Sequence, residues 1–209
     1  MSKLRSLVQQ LRTGGLRGVI SLLRSNLFNV DRCLRLELDL TVFDFTELPP
    51  CPPDYLLRRS DQVDLERVRA AASTPLPQDF FEDRIHGLTE AYLGFLSGEL
   101  VHVLWLAVSG QPSTVSGFRP KPREAEMRNV ITVRPARGRG ILTYSVRAAA
   151  ADMKRKGFER VYAHIAENNT PSLRGFQRAG FVPTQRVVLR RVLGWDCVEE
   201  SALSPQDTI

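Results

Sequence analysis

Arg134-Pro-Ala-Arg137-Gly-Arg-Gly140-Ile-Leu142 follows an apolar run ending in Val133, and Thr143-Tyr-Ser-Val continues from it at helical spacing. A strand that passes through a proline turn into a helix gathers free backbone N–H groups at the positive end of the helix dipole, a place that favours anions. Gly138 and Gly140 let a ligand come close to the backbone, and Arg137 and Arg139 add positive charge. Taken alone, the stretch is equally well an ordinary basic turn between strand and helix.

Downstream, a strand over Val161 to Ile165 leads into Glu167-Asn-Asn169-Thr-Pro-Ser172-Leu-Arg-Gly-Phe176-Gln-Arg-Ala-Gly180-Phe181. Here an asparagine cap, a proline and serine opening a short helix, and a closing glycine form one strand, cap, helix and C-cap unit. Upstream, Leu34, Leu36, Leu38 and Leu40 alternate with Arg35, Glu37, Asp39 and Thr41, the two-residue rhythm of a half-buried strand. Pro49-Pro-Cys-Pro-Pro53 then reads as a stiff linker.

Past the linker the pattern predicts a strand over 55–59, helices near 65–72 and 79–88, and a hairpin of strands 92–96 and 100–108 across Ser97-Gly98. A strand follows near 128–133, with Glu124 and Glu126 in the loop before it, then a helix over 142–156 and a last strand near 186–192. Mixed elements of these lengths suggest an α/β sheet with helices on both faces.

Residues 1 to 36 carry seven Lys or Arg against one acid, Asp31, and so account for the whole net charge of +6 in the 209-residue chain. Leu4, Leu7, Val8 and Leu11, and after Gly14-Gly15 Leu16, Val19, Ile20 and Leu23, predict two short amphipathic helices with a basic outer face. Such a face suits packing on the domain, a homodimer contact, or a peripheral membrane contact through residues 1–30. Basic residues without interleaved aromatics are a weak nucleic-acid footprint. Cys33, Cys51 and Cys197 are an odd, scattered set without metal-ligand spacing, which predicts reduced thiols, a cytoplasmic protein and no metal. No apolar run reaches the ~18 residues of a membrane span.

The two glycine-containing motifs, in this order and about thirty residues apart, resemble the GNAT superfamily of acyl-CoA-dependent N-acetyltransferases. Arg137, Gly140 and Leu142 stand at the three marked places of that family's first pattern, the third usually being glycine or alanine. Asn169, Ser172, Phe176 and Gly180-Phe181 meet the second. The resemblance implies a mixed, mostly antiparallel sheet with a central splayed pair of parallel strands and flanking helices. It implies a GNAT-like domain over 54–195, with 1–53 as an N-terminal extension and 196–209 as a tail.

The resemblance further implies acetyl-CoA, or another acyl-CoA, as co-substrate. Its pantetheine would lie along Ile131, Thr132 and Val133, and its pyrophosphate on the N–H groups of Arg137, Gly138, Arg139, Gly140, Ile141 and Leu142. Asn169, Ser172 and Phe176 would flank it. The implied reaction is direct attack of an unprotonated amine on the thioester. Phe176 stands where many members carry a tyrosine thought to protonate the departing thiolate, a contribution typically worth 10²–10⁴-fold.

For the base, His164 is the candidate, five residues before Asn169 and of a pKa suited to neutral pH; the other reading is a histidine satisfied within the sheet. Tyr162 shares its strand face and could supply a hydroxyl. A lysine amine near pKa 10.4 is only about a thousandth neutral near pH 7.4, which favours a small-molecule primary amine of lower pKa as acceptor. The alternatives are a peptide or protein N-terminal acetyltransferase and a non-catalytic acyl-CoA-binding or assembly module.

Overall fold

The computed structural model describes residues 28–115, 117–192 and 195–203. The amphipathic helices expected over 4–23 lie outside these residues. In chain order the elements are β1 (Phe28–Asp39), β2 (Tyr55–Arg59), α1 (Leu65–Ala70), α2 (Glu82–His86), β3 (Glu90–Leu96), β4 (Glu99–Ala107) and β5 (Glu124–Thr132). They continue with α3 (Ile141–Arg155), β6 (Arg160–Ala166), α4 (Thr170–Arg178), β7 (Val182–Val192) and β8 (Trp195–Ala202).

All eight strands make one sheet in the order β2-β3-β4-β5-β6-β1-β7-β8, in which only β5 and β6 run parallel. The mixed, mostly antiparallel sheet with one parallel pair is the expected fold. The place of β1 differs from the expected boundary. Residues 28–39 do not stand outside the domain; they pair antiparallel with β6 on one side and β7 on the other. The tail expected from 196 is largely β8, an edge strand paired along β7.

The alternation in β1 gives it one apolar face. Leu34, Leu36 and Leu38 fall on one face and join a core with Val146, Ala149 and Met153 of α3 and Leu173 and Phe176 of α4. Leu36 is fully buried, which is worth roughly 1.5–3 kcal/mol relative to leaving it exposed. On the opposite sheet face, Val101, Val103 and Trp105 of β4 pack with Phe80 and Leu88 from the segments around α2. Trp105 also donates its indole N–H to the Asp79 carbonyl at 2.8 Å.

The parallel pairing is short. Glu124, Ala125 and Glu126 of β5 match Arg160, Val161 and Tyr162 of β6, and there the rungs stop. An extra residue in β5 supplies the cause. Val103 faces Ile131 and Trp105 faces Arg128, so three steps on β5 oppose two on β4, and Asn129 takes a left-handed φ of 48° in the bulge. Bulges bend a strand and raise its local twist. Beyond Glu126, β5 turns away from β6, leaving a wedge whose β5 edge has no strand partner.

Candidate active site

His164 lies two residues past the last rung, in the mouth of this wedge. Its side chain and that of Glu126 are fully buried, with Nδ1 3.0 Å from Glu126 Oε1. Both oxygens of Glu126 also accept the Thr114 backbone N–H at 3.2 Å. Burial pushes this carboxyl up, but the hydrogen bond and charge of His164, with the Ser113 and Thr114 donors, win and hold it below the ordinary carboxylate range. An ionised carboxylate only accepts, so Nδ1 donates to Glu126, and Nε2 is the nitrogen that faces away from the pair. Nε2 is buried with no hydrogen-bond partner among the described residues.

The placement of Glu126 corrects the sequence expectation. Glu124 and Glu126 are not in a solvated loop, because the strand begins at Glu124 rather than near 128. The run Glu124-Ala-Glu126-Met has the alternation of a strand, but charged residues beside a loop rich in Pro and Ser mask it.

Two cavities meet at His164. The smaller, about 160 Å³, lies between β5 and β6 and is lined among others by Ile131, Asn169, Ser172 and Phe176. The larger, about 720 Å³, lies beside the first half of β1 and is lined among others by Asp31, Cys33, Glu167 and Asn168. Thr114, His164 and Ala166 line both. His164 is thus one of the residues that separate the two cavities.

Tyr162 is on the same strand face, its ring 5.5 Å from that of His164. It is 1% exposed, lies beneath the Arg35 guanidinium at 4.1 Å, and burial followed by the Glu126 charge pushes its phenol well up. This phenol is packed beneath the site rather than lining either cavity. Phe118 closes over the other side of the imidazole at 5.0 Å.

The turn from β5 to α3 fits an anionic ligand. Arg137 to Gly140 are exposed, Gly138 and Gly140 have φ of 77° and 78°, and a Cβ built on either would meet nothing within 4 Å. No side chain caps α3, so its first N–H groups point outward from a 15-residue helix. Arg137 is tied back by donating from Nε to the Thr132 carbonyl at 2.9 Å. Thr132 is in turn held through Oγ1, 2.9 Å from His102 Nδ1, and the Val133 N–H donates to the Val101 carbonyl at 2.8 Å. Ile141 is buried, so it can offer a ligand only its backbone.

Leu142 finds its reason across the helix contact. A Cβ built on Gly175 of α4 would lie 2.3 Å from Leu142 Cδ2, so the leucine fills the space that a glycine leaves. Asn169 caps α4, accepting the Ser172 N–H at 3.3 Å through Oδ1. Its amide N–H₂ is the group left for a ligand in the wedge. Phe176 is 1% exposed and packs edge-on against Phe181 at 5.1 Å. Arg128, missed in the sequence, also lines the smaller cavity; it bridges Glu82 at 3.2 Å and the Pro112 carbonyl at 2.6 Å, clamping two loops onto β5.

A mixed sheet that splays at its one parallel pair, with the uncapped N-terminus of a helix at one end of the splay, defines the class of fold. Residues 54–181, more than half of the chain, match the family model described as Acetyltransferase (GNAT) family, and the chain belongs to that family. Its fold is shared with a GCN5-related N-acetyltransferase from Sphaerobacter thermophilus, at a TM-score of 0.53 and 17% identity over 91% of this chain and 58% of that one. An acetyltransferase of the GNAT family from Colwellia psychrerythraea matches at a TM-score of 0.51 and 18% identity over 84% and 61% of the two chains. A GCN5-related glucosamine N-acetyltransferase region of a fungal multi-domain β-N-acetylglucosaminidase matches at 0.57 and 16% over 83% and 22%. The chain spans less than two thirds of the length of these structures. No curated protein matches it. Among the described residues, no helix is long and apolar enough to cross a membrane and no three His, Cys, Asp or Glu side chains converge as metal ligands.

Proposed function

We propose that the protein transfers an acetyl or related acyl group from coenzyme A to a primary amine of a small molecule. The observation that carries this reading is the buried Glu126–His164 pair, whose histidine lines both cavities. The open β5 edge and the wedge residues Ile131, Asn169 and Ser172 would hold the pantetheine, and the N–H groups of Arg137 to Leu142 the pyrophosphate. The thioester supplies the acyl group, its C–S bond breaking as the new N–C bond forms and CoA leaves. His164 takes the proton of the incoming nitrogen at Nε2. Glu126 fixes the tautomer and stabilises the charge that the imidazole gains.

His164→Ala removes this base, and turnover is expected to fall by about 10²–10³-fold with the KM for acetyl-CoA nearly unchanged. Release of free CoA in the presence of amine reads this, and an undiminished rate excludes His164 from the chemistry. Phe176, which offers no hydroxyl for the departing thiol, favours the second reading, a non-catalytic acyl-CoA-binding module. Tight cofactor binding with no turnover across a broad amine panel would support that one.

A further inference from the structure

The turn from β5 to α3 stands on polar groups buried in an otherwise apolar layer. At its β5 end, Thr132 has two contacts: Oγ1 lies 2.9 Å from His102 Nδ1, and the carbonyl accepts from Arg137 Nε at 2.9 Å. At its α3 end, Ser145 in the second turn of the helix lies with Oγ 2.7 Å from the Tyr55 hydroxyl. Thr132, His102, Ser145 and Tyr55 are all buried. The two anchors are neighbours at Gly94, where an added Cβ would overlap the Tyr55 oxygen and lie 2.8 Å from His102 Cβ. Glycine at 94 thus leaves room for the phenol beside the imidazole.

Packing alone does not account for that imidazole. It is fully buried, and its Nε2 has no hydrogen-bond partner among the described residues. An unpartnered buried polar atom costs more than an average hydrogen bond returns, so apolar residues of the same shape at 102 and 132 would serve the core as well or better. What the histidine supplies is a fixed partner for Thr132, and with it a fixed carbonyl to tie back Arg137. The exposed residues Arg137 to Gly140 lie between this anchor and the Ser145–Tyr55 pair. A site built from backbone N–H groups depends on where they point, so a loosened turn would lose its anion without losing the fold.

We propose that His102 is a positioning residue for the cofactor: through Thr132, and with the Tyr55–Ser145 pair at the other end, it sets the turn in the shape that receives the pyrophosphate. This rests on the acyl-CoA reading above. The role concerns only the phosphate-bearing half of the ligand, so it predicts a loss that depends on which donor is offered.

The test offers the full-length protein acetyl-CoA and acetyl-pantetheine, which lacks the pyrophosphate, with the primary amine that gives the highest turnover. Binding of CoA and of pantetheine is measured in parallel by calorimetry. Thr132→Val removes the hydroxyl and keeps the shape, Thr132→Ser keeps the hydroxyl, and His102→Phe removes its partner. We expect Thr132→Val and His102→Phe to raise the KM for acetyl-CoA about tenfold with kcat within twofold, and to leave kcat/KM for acetyl-pantetheine unchanged. Thr132→Ser should behave as the native protein does, and calorimetry should show the tenfold loss for CoA and none for pantetheine. If His102→Phe does not fold, the isosteric Thr132→Val decides alone. A loss shared equally by both donors, or no loss for acetyl-CoA, overturns the proposal and leaves the acyltransfer reading standing. A selective loss of CoA binding, in a protein that turns over no amine, overturns acyltransfer and keeps the positioning role. A native protein that binds no CoA overturns both.

Discussion

Glu126 is bound on three sides, by the imidazole of His164, by the Thr114 N–H and by the low dielectric around it. In the proposed mechanism its work is to fix the orientation of the neighbouring ring, so it would act through His164 rather than on a substrate. Glu126→Gln keeps the shape but allows the amide to donate to Nδ1, which permits the other tautomer and removes the charge that stabilises the protonated ring. The expected result is a fall in kcat of about 10–10²-fold with KM for acetyl-CoA little changed, and Glu126→Asp should recover part of the loss. Equal falls in kcat and in cofactor affinity would mark Glu126 as structural only. His164 was legible in the sequence because a lone histidine on a strand before an asparagine cap is conspicuous. Its partner was not, since nothing in a sequence tells an acid at the buried end of a strand from one in the adjoining loop.

Between elements, the packing of α3 on α4 replaces the usual small residue on α3 with a large one and compensates on the other helix. Leu142 is the knob and Gly175 the hole. The two sites are therefore coupled, and their changes will not add. Leu142→Ala should cost about 1–3 kcal/mol through the space it opens, and Gly175→Ala should also destabilise by forcing the leucine aside. In the Leu142→Ala background the sign of the second change reverses: an alanine at 175 meets open space and has the better helix propensity by about 1 kcal/mol. Urea denaturation of the four proteins of this cycle decides it, and additive values would show that the two side chains do not share the space. The two motifs disclosed the helices and the odd leucine, but this pairing was hidden because its halves are 33 positions apart.

At the scale of the molecule, acid should loosen the fold earlier than an ordinary count of carboxylates suggests. His102 is wholly buried, and burial pushes its imidazole down to about 3, far below the ~6.5 of an unfolded chain. Between these values the unfolded state binds more protons, so stability rises with pH up to about 6.5 and is lost below it, by about 2 kcal/mol at pH 5. Glu126, held below its unfolded value, adds a loss in the same direction at lower pH, as the medium falls through its folded value. Urea midpoints should decline from pH 7 to pH 5 in the native protein, and His102→Gln, which cannot titrate there, should flatten that slope. The strands and helices from 54 to 192 were largely readable from period and turn residues. The order of the sheet was not, because alternation in 34–40 marks a half-buried strand without naming its neighbours.

That order has a consequence for how the protein is made. β1 is the first described strand to be synthesised, yet its two neighbours in the sheet begin at Arg160 and Val182. During translation, a strand with three buried leucines on one face must wait for more than a hundred further residues before either edge can be covered. The wall of the larger cavity formed by Asp31 and Cys33 is completed at the same moment. Closure of this cavity and of the hydrophobic core therefore arrive together, once β7 has been made, and a nascent chain halted before β7 has neither.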